Sequence, residues 1–211
     1  MIVAPRNRRT NQTWDPDDAG GLRLGDLRLV TIGEYHRLIK IGFFTPNDRI
    51  ELLDGLLVRK MPQEDPHAVI VSLLPDLFVA VLPADWTVRS QLPVTLAGDN
   101  EPEPDAVVCV GPKKRYRTGH PTGKDFEIVV EVVDATLRRD RTKKLQIYAR
   151  NRIPAYWIVN VRAETVEVYS EPRAGQTPTY RRQENYPRGT QVPVVLRGEK
   201  VAEIKVDDLF E

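Results

Sequence analysis

This chain is most constrained by what it does without. Cys109 is its only cysteine, so neither an internal disulfide nor a cluster of thiolate metal ligands can form. No apolar run approaches the roughly 20 residues that a membrane helix needs. Neither sign of charge is in excess: 31 Lys and Arg stand against 30 Asp and Glu, and at a net +1 any attraction to a polyanion has to be local. The start, Met1-Ile2-Val3-Ala4-Pro5-Arg6, lacks the apolar stretch of a secretory signal. There is no internal repeat and no low-complexity segment. What remains is the expectation of a soluble, cytoplasmic globular protein whose 211 residues suffice for one substantial core and are short for two.

Residues 1–25 are polar, with Asp-Pro, Asp-Asp and Gly-Gly steps, and read as a flexible leader; a single domain is expected over 26–211. Thr31-Ile32-Gly33-Glu34 has capping-box spacing, with Tyr35, Leu38, Ile39 and Phe43 following at helical intervals. Asp54-Gly55 between Ile50–Leu53 and Leu56–Met61 predicts a hairpin with a two-residue turn. Asp65-Pro66 opens a second helix carrying His67, Ile70, Val71, Leu74 and Phe78, which Pro75 is expected to kink or interrupt. Strands are expected over 86–90, 93–96, 104–110 and 126–133, a helix over 137–151, a strand over 155–161, and short strands over 165–170, 178–182 and 192–196. The strand, helix, strand order through 126–161 predicts a parallel crossover unit.

Three residues stand out: Asp105 beside a proline, Glu131 inside Ile128-Val129-Val130-Glu131-Val132-Val133, and Lys144 on the helix that follows. A carboxylate in so apolar a strand is normally paired, protonated or metal-bound. Phosphodiester hydrolysis needs an activated water and neutralisation of transition-state charge; Mg²⁺ supplies much of this while held by only one or two carboxylates, and Mn²⁺ is its natural substitute. Side chains alternate along a strand, so Asp105 shares a face with Val107 and Cys109, and Glu131 shares one with Val129 and Val133. On neighbouring strands both could face one ion. Asp140, Lys144 and Tyr148 are spaced four apart and line one face of their helix. Lys144 could stabilise transition-state charge there, or form an ordinary Asp140 pair on a solvated face. Asp105 could equally be a plain strand-start acid, and Glu131 half of a buried structural ion pair.

The run Ile50-Glu51-Leu52-Leu53-Asp54-Gly55, then His67, Pro104-Asp105, Val130-Glu131-Val132, Asp140 with Lys144 and Tyr148, and Ile153-Pro154-Ala155-Tyr156-Trp157-Ile158-Val159 resembles the Uma-two family of bacterial endonucleases, within the PD-(D/E)XK nuclease superfamily. That resemblance spans roughly residues 26 to 210. It implies an α/β (α+β) restriction-endonuclease-like core, with a central mixed β-sheet flanked by helices and extra antiparallel strands. It also implies Mg²⁺ at Asp105 and Glu131, DNA as substrate, and a metal-dependent endonuclease activity. The superfamily pattern asks for Lys two residues after the second acid, where this chain has Val133; the resemblance makes Lys144 the candidate in its place.

Glu51 could add a carboxylate to the site or face solvent on an edge strand. His67 could support the site or be a helix-end residue. Lys113, Lys114, Arg115 and Arg117 are candidate contacts to a nucleic-acid backbone, with an ordinary solvated loop as the alternative. A homodimer would present two sites to two strands. A nuclease-fold DNA-binding or regulatory protein with little or no cleavage is the competing function.

Overall fold

The computed structural model describes residues 26–45, 47–61, 65–134 and 136–210; the expected leader over 1–25 lies outside the described residues. The centre is a six-stranded mixed sheet in the order β3 (Trp86–Ser90), β4 (Ala106–Val110), β5 (Phe126–Val133), β6 (Ala155–Asn160), β7 (Thr165–Arg173) and β8 (Thr179–Pro187). Its pairs are antiparallel except β5–β6, the parallel pair that the intervening helix requires.

β5 runs down the middle, and all eight of its residues are buried. Its unbroken apolar character follows from being covered on both faces. On one face Ile128, Val130 and Val132 join Val108 and Trp157 under α2 (Asp65–Val81) and the antiparallel pair β9 (Gln191–Leu196) and β10 (Glu199–Lys205). On the other, Val129 and Val133 join Val107, Cys109, Tyr156 and Ile158 under the helical segment after β5. No helix among the described residues is long and apolar enough to cross a membrane.

Around this core, α1 (Ile32–Lys40) starts at the expected capping box: Thr31 Oγ accepts the Glu34 N–H, and Glu34 accepts the Thr31 N–H. β1 (Ile50–Leu53) and β2 (Leu56–Arg59) form the expected hairpin, with Asp54 at φ 46° and Gly55 at φ 75°, the left-handed pair that a tight turn of this kind demands.

Three expectations change, and one strand had none. Pro75 lies inside α2 and does not interrupt it. The strand expected over 93–96 is only two isolated bridges, Thr95 to Thr122 and Leu96 to Asn100. β10 was not legible in sequence, because most of Glu199–Lys205 is exposed and supplies no clean alternation. The helix over 137–151 is three pieces: α3 (Leu137–Arg139), a π turn (Asp140–Lys144) and α4 (Leu145–Arg150).

Candidate active site

The β4–β5 register pairs Ala106 with Val130, and continuing it by one residue sets Asp105 across from Glu131. Both belong to the sheet face under the π turn, because Asp105 alternates with Val107 and Cys109, and Glu131 with Val129 and Val133. The Val132 N–H donates to Asp105 Oδ2 at 2.8 Å, so Asp105 is tied to the strand that carries Glu131. Burial alone would raise the pKa of Asp105. His67, that Val132 N–H and the charge of Lys60 outweigh it, and the carboxyl is held below its usual value.

Lys144 comes down from the helical layer. Its Nζ lies 2.9 Å from Glu131 Oε1, 3.3 Å from Glu51 Oε2 and 3.9 Å from Asp140 Oδ1. The Tyr148 hydroxyl donates to the same Glu131 oxygen at 2.6 Å. All five side chains are buried, so the solvated-face alternative for Lys144 and the solvent-facing alternative for Glu51 are both ruled out.

The π turn explains how Asp140, Lys144 and Tyr148 line up. Residues four apart overshoot one turn of an α-helix, whereas the wider i→i+5 winding makes them fall short. One π step followed by one α step therefore cancels the drift. The Leu145 N–H bonding to the Asp140 carbonyl is the π bond concerned.

Three carboxylates, Glu51, Glu131 and Asp140, thus surround one ammonium, and Asp105 stands across the β4–β5 pair from Glu131. Burial is the main reason that Glu131 is pushed up to about 7, with the neighbouring acids adding to the rise and Lys144 opposing it. Asp140 is raised by burial in the same way. For Lys144 burial works against the charge, but Glu131, Glu51 and Asp140 together outweigh it and its pKa rises. The upward shifts of Glu131 and Lys144 look contradictory for an ion pair. Both follow from a surplus of negative charge, which makes another carboxylate harder to ionise and the ammonium harder to deprotonate.

Glu51 Oε1 is buried with no hydrogen-bond partner, and so is Asp140 Oδ2. An orphaned anionic oxygen inside an acid-rich pocket suits a hard divalent cation. Among the described residues, though, no three Asp, Glu, His or Cys side chains converge as a ready-made metal cage. The fit is to an ion held by two carboxylates and water, the usual mode for Mg²⁺.

His67, in the first turn of α2, places Nε2 3.6 Å from Asp105 Oδ2. Burial lowers its pKa, but Asp105 and the Val132 backbone more than compensate, and the net shift is upward. The basic cluster lies elsewhere. Lys113, Lys114 and Arg115 form a 3-10 turn with Tyr116 beyond the C-terminal end of β4, whereas Asp105 precedes its start. Five strand residues put roughly 17 Å between the two ends. Arg115 is also engaged by Asp125 at 2.8 Å.

Several contributors had no clear sequence signal. Lys60, which follows β2, donates to the Glu103 carbonyl at 2.9 Å and adds its charge near Asp105. Asp54 in the hairpin turn receives Lys143 at 2.8 Å and Arg150 at 2.7 Å, mooring the hairpin that carries Glu51 to the helical layer. Glu167 follows from Glu131 through Ile158 in strand register, and Arg141 grips it with bonds of 3.0 and 2.5 Å. The alternation Val166, Glu167, Val168 reads as an outward-facing acid, and only the fold buries Glu167 and brings Arg141 to it.

The family profile described as "Putative restriction endonuclease", Uma2, matches residues 32–202. No curated protein matches the chain. Among solved structures, that of "a putative nuclease belonging to DUF820" from Anabaena variabilis is similar with a TM-score of 0.64 at 18 % sequence identity, covering 86 % of this chain and 97 % of its own. At that identity the likeness is one of fold.

Proposed function

This chain belongs to the Uma2 family, and on that premise we propose that it is a Mg²⁺-dependent DNA endonuclease whose metal is held by Asp105 and Glu131, with Lys144 as the catalytic cation. The observation that carries the reading is the burial of one lysine among three carboxylates, with the buried Asp105 across the β4–β5 pair from one of them. A purely structural ion pair needs one acid, and surplus buried anionic charge costs stability unless a cation offsets it.

Bound Mg²⁺, or Mn²⁺ in its place, would lower the pKa of a coordinated water and neutralise charge on the phosphoryl oxygens. The remaining work falls to the chain's own groups. Asp105, kept ionised by His67 and the Val132 N–H, supplies a fixed anionic oxygen. Glu131, pushed up to about 7, can hold or release a proton on its carboxyl, while its Oε1 accepts from the Tyr148 hydroxyl and Lys144 Nζ and keeps the group in place. Lys144 sets a positive charge against the transition state from the helix side, the role assigned in sequence to a lysine that the strand itself lacks. Glu51 and His67 support the site, Glu51 by its orphaned carboxylate oxygen and His67 by its contact with Asp105. Two copies of the chain would serve the two strands of a duplex, in the cytoplasm where the DNA is.

The decisive experiment is a supercoiled-plasmid assay with Mg²⁺, Mn²⁺ or EDTA. Nicking that needs the metal supports the reading. Metal-dependent DNA binding without any cleavage would replace it with that of a DNA-binding protein on a nuclease fold.

A further inference from the structure

The acids that suit a metal are hostile to the substrate. Before an ion binds, Glu51, Glu131 and Asp140 outnumber the Lys144 they surround three to one, and a phosphodiester brought near them is repelled. A polyanion can be held there only by cations within about a Debye length, roughly 8–10 Å at moderate salt. The side chains that meet this condition without being consumed by local acids are few. Arg141 is spent on Glu167, Lys143 and Arg150 reach Asp54, and Lys60 is held by Glu103. Lys113, Lys114 and Arg115 sit at the far end of β4.

Arg138 and Arg139 remain. They open the same helical segment whose next residues are Asp140 and, one π turn on, Lys144. With Thr136, Thr142 and Lys143 they line an open cavity of about 480 Å³ on the outer side of that turn. Neither guanidinium makes an ion pair within 4 Å among the described residues. Arg139 Nε is buried with no hydrogen-bond partner, although its charge is close enough to help lower the pKa of Asp140 against the raising effect of burial. The Thr142 hydroxyl already donates to the Arg138 carbonyl at 2.7 Å and the Thr136 side chain is bonded to Asp140, so the donors left for phosphate oxygens are the unpartnered Arg139 N–H and the Arg138 guanidinium, a group that binds phosphate in a fork.

We propose that this groove binds the sugar–phosphate backbone of the nucleic-acid strand a few nucleotides from the scissile position, contacting phosphates without reading bases; the proposal rests on the nuclease reading of the site itself. Arg139 and Lys143 each adjoin, in sequence, a residue that points into the acid cluster, so the groove and the cluster are two sides of one turn. Phosphates recur about every 3.4 Å along each strand axis. The two sides of a helical turn are about 10–12 Å apart with their side chains, so a strand held in the groove reaches the neighbourhood of Lys144 within about three or four nucleotides.

The test is fluorescence anisotropy with the full chain and a labelled oligonucleotide, single- and double-stranded, in Ca²⁺, across a salt series. Replacing both arginines by glutamine is expected to weaken binding about 10- to 100-fold near 0.1 M salt and to flatten the log-log salt slope by about one to two units. Replacing both by lysine is expected to restore most of the slope, and calorimetric Mn²⁺ affinity is expected to be no weaker in either variant. If the wild type binds DNA and the glutamine variant binds with the same affinity and slope, the groove is not the contact and the proposal falls while the nuclease reading stands. If inorganic phosphate competes as well as an oligonucleotide at equal phosphate concentration, the groove is a single-anion site and the strand assignment is overturned. A wild type that binds neither form of DNA overturns the nuclease reading and this proposal together.

Discussion

Asp105 is fastened to the backbone of the strand that carries Glu131: its Oδ2 accepts the Val132 N–H at 2.8 Å across the β4–β5 pair. A β-ladder group is thereby diverted to a side chain, and the carboxylate is fixed in position rather than left to a rotamer. His67 approaches the same oxygen from α2, so one acid links the two layers that sandwich the sheet. Glu131 is held quite differently, by Lys144 and Tyr148 from the helical layer alone. Loss of Asp105 therefore frees groups in the sheet and in α2, and loss of Glu131 frees groups in the helical layer alone.

Asp105→Ala and Glu131→Ala are each expected to abolish Mn²⁺ binding and DNA cleavage, since each removes an anionic ligand that water cannot replace at equal charge. Lys144→Ala is expected to keep or strengthen Mn²⁺ binding while lowering cleavage on the order of 10²-fold or more. It also leaves buried acids uncompensated, at a cost of about 3–5 kcal/mol in the metal-free protein. Calorimetric titration and plasmid nicking on variants first shown to be folded check all three. A Lys144→Ala protein that cuts like wild type would reduce Lys144 to a structural partner of Asp140.

The metal-free protein should lose stability as pH rises through the range that separates the ordinary glutamate value, near 4.5, from the value of about 7 at Glu131. The sign follows from the direction of the shift: in that window the folded state holds a proton that the unfolded state has released, so each rise in pH favours unfolding. Glu131→Gln removes this component. Thermal melts at pH 5 and pH 8 in EDTA should show a smaller difference for Glu131→Gln than for wild type, and equal differences would refute the assignment.

Asp54 holds the hairpin with Glu51 against Lys143, Arg150 and Asn100, and it does so from a left-handed turn position at φ 46°. Asp54→Asn keeps a residue suited to that backbone and loses the charge; Asp54→Ala loses both. The asparagine variant is expected to cost about 1 kcal/mol and the alanine variant about 1 kcal/mol more, with Mn²⁺ affinity falling in the same order as Glu51 loosens. Denaturant melts and the metal titration read this order, and an alanine variant as stable as wild type would contradict it.

The Lys113, Lys114, Arg115 and Arg117 cluster, some 17 Å from Asp105 along β4, fits only a substrate long enough to run the length of the strand. Neutralising Lys113, Lys114 and Arg117 should then flatten the salt dependence of long-duplex binding by about one unit per lost phosphate contact and leave a short oligonucleotide unaffected. Unchanged salt dependence on long DNA would return the cluster to a solvated loop.

Much of this geometry was legible in the sequence where one residue type answers one physical demand. The buried run of β5 matched its expected limits at Phe126 and Val133, because continuous apolarity marks a strand covered on both faces. Asp54-Gly55 located the hairpin, since few residues accept two consecutive positive φ values. The four-residue spacing of Asp140, Lys144 and Tyr148 identified one face. It could not reveal that a π turn makes that spacing fit, because no side chain encodes the missing i→i+4 bond. Lys60 and the burial of Glu51 were equally out of reach: a β1 residue flanked by Ile50 and Leu52 reads alike at an edge or under a helix. β10 escaped because five of its seven residues are exposed and only Ala202 and Ile204 turn toward the core.

The cluster is drawn from distant parts of the chain. Glu51 arrives with the first hairpin, Asp105 and Glu131 with the middle strands, and Lys144 and Tyr148 with the helix after them, so Glu51 and Lys144 meet across 93 positions. Contacts between residues so far apart form only after the intervening loops have closed. A growing or truncated chain that ends before Lys144 holds the acids without their cation, and one that lacks the first hairpin holds the cation without Glu51. The arrangement therefore exists only in the finished fold, and assembly of the site serves as a readout of completed folding.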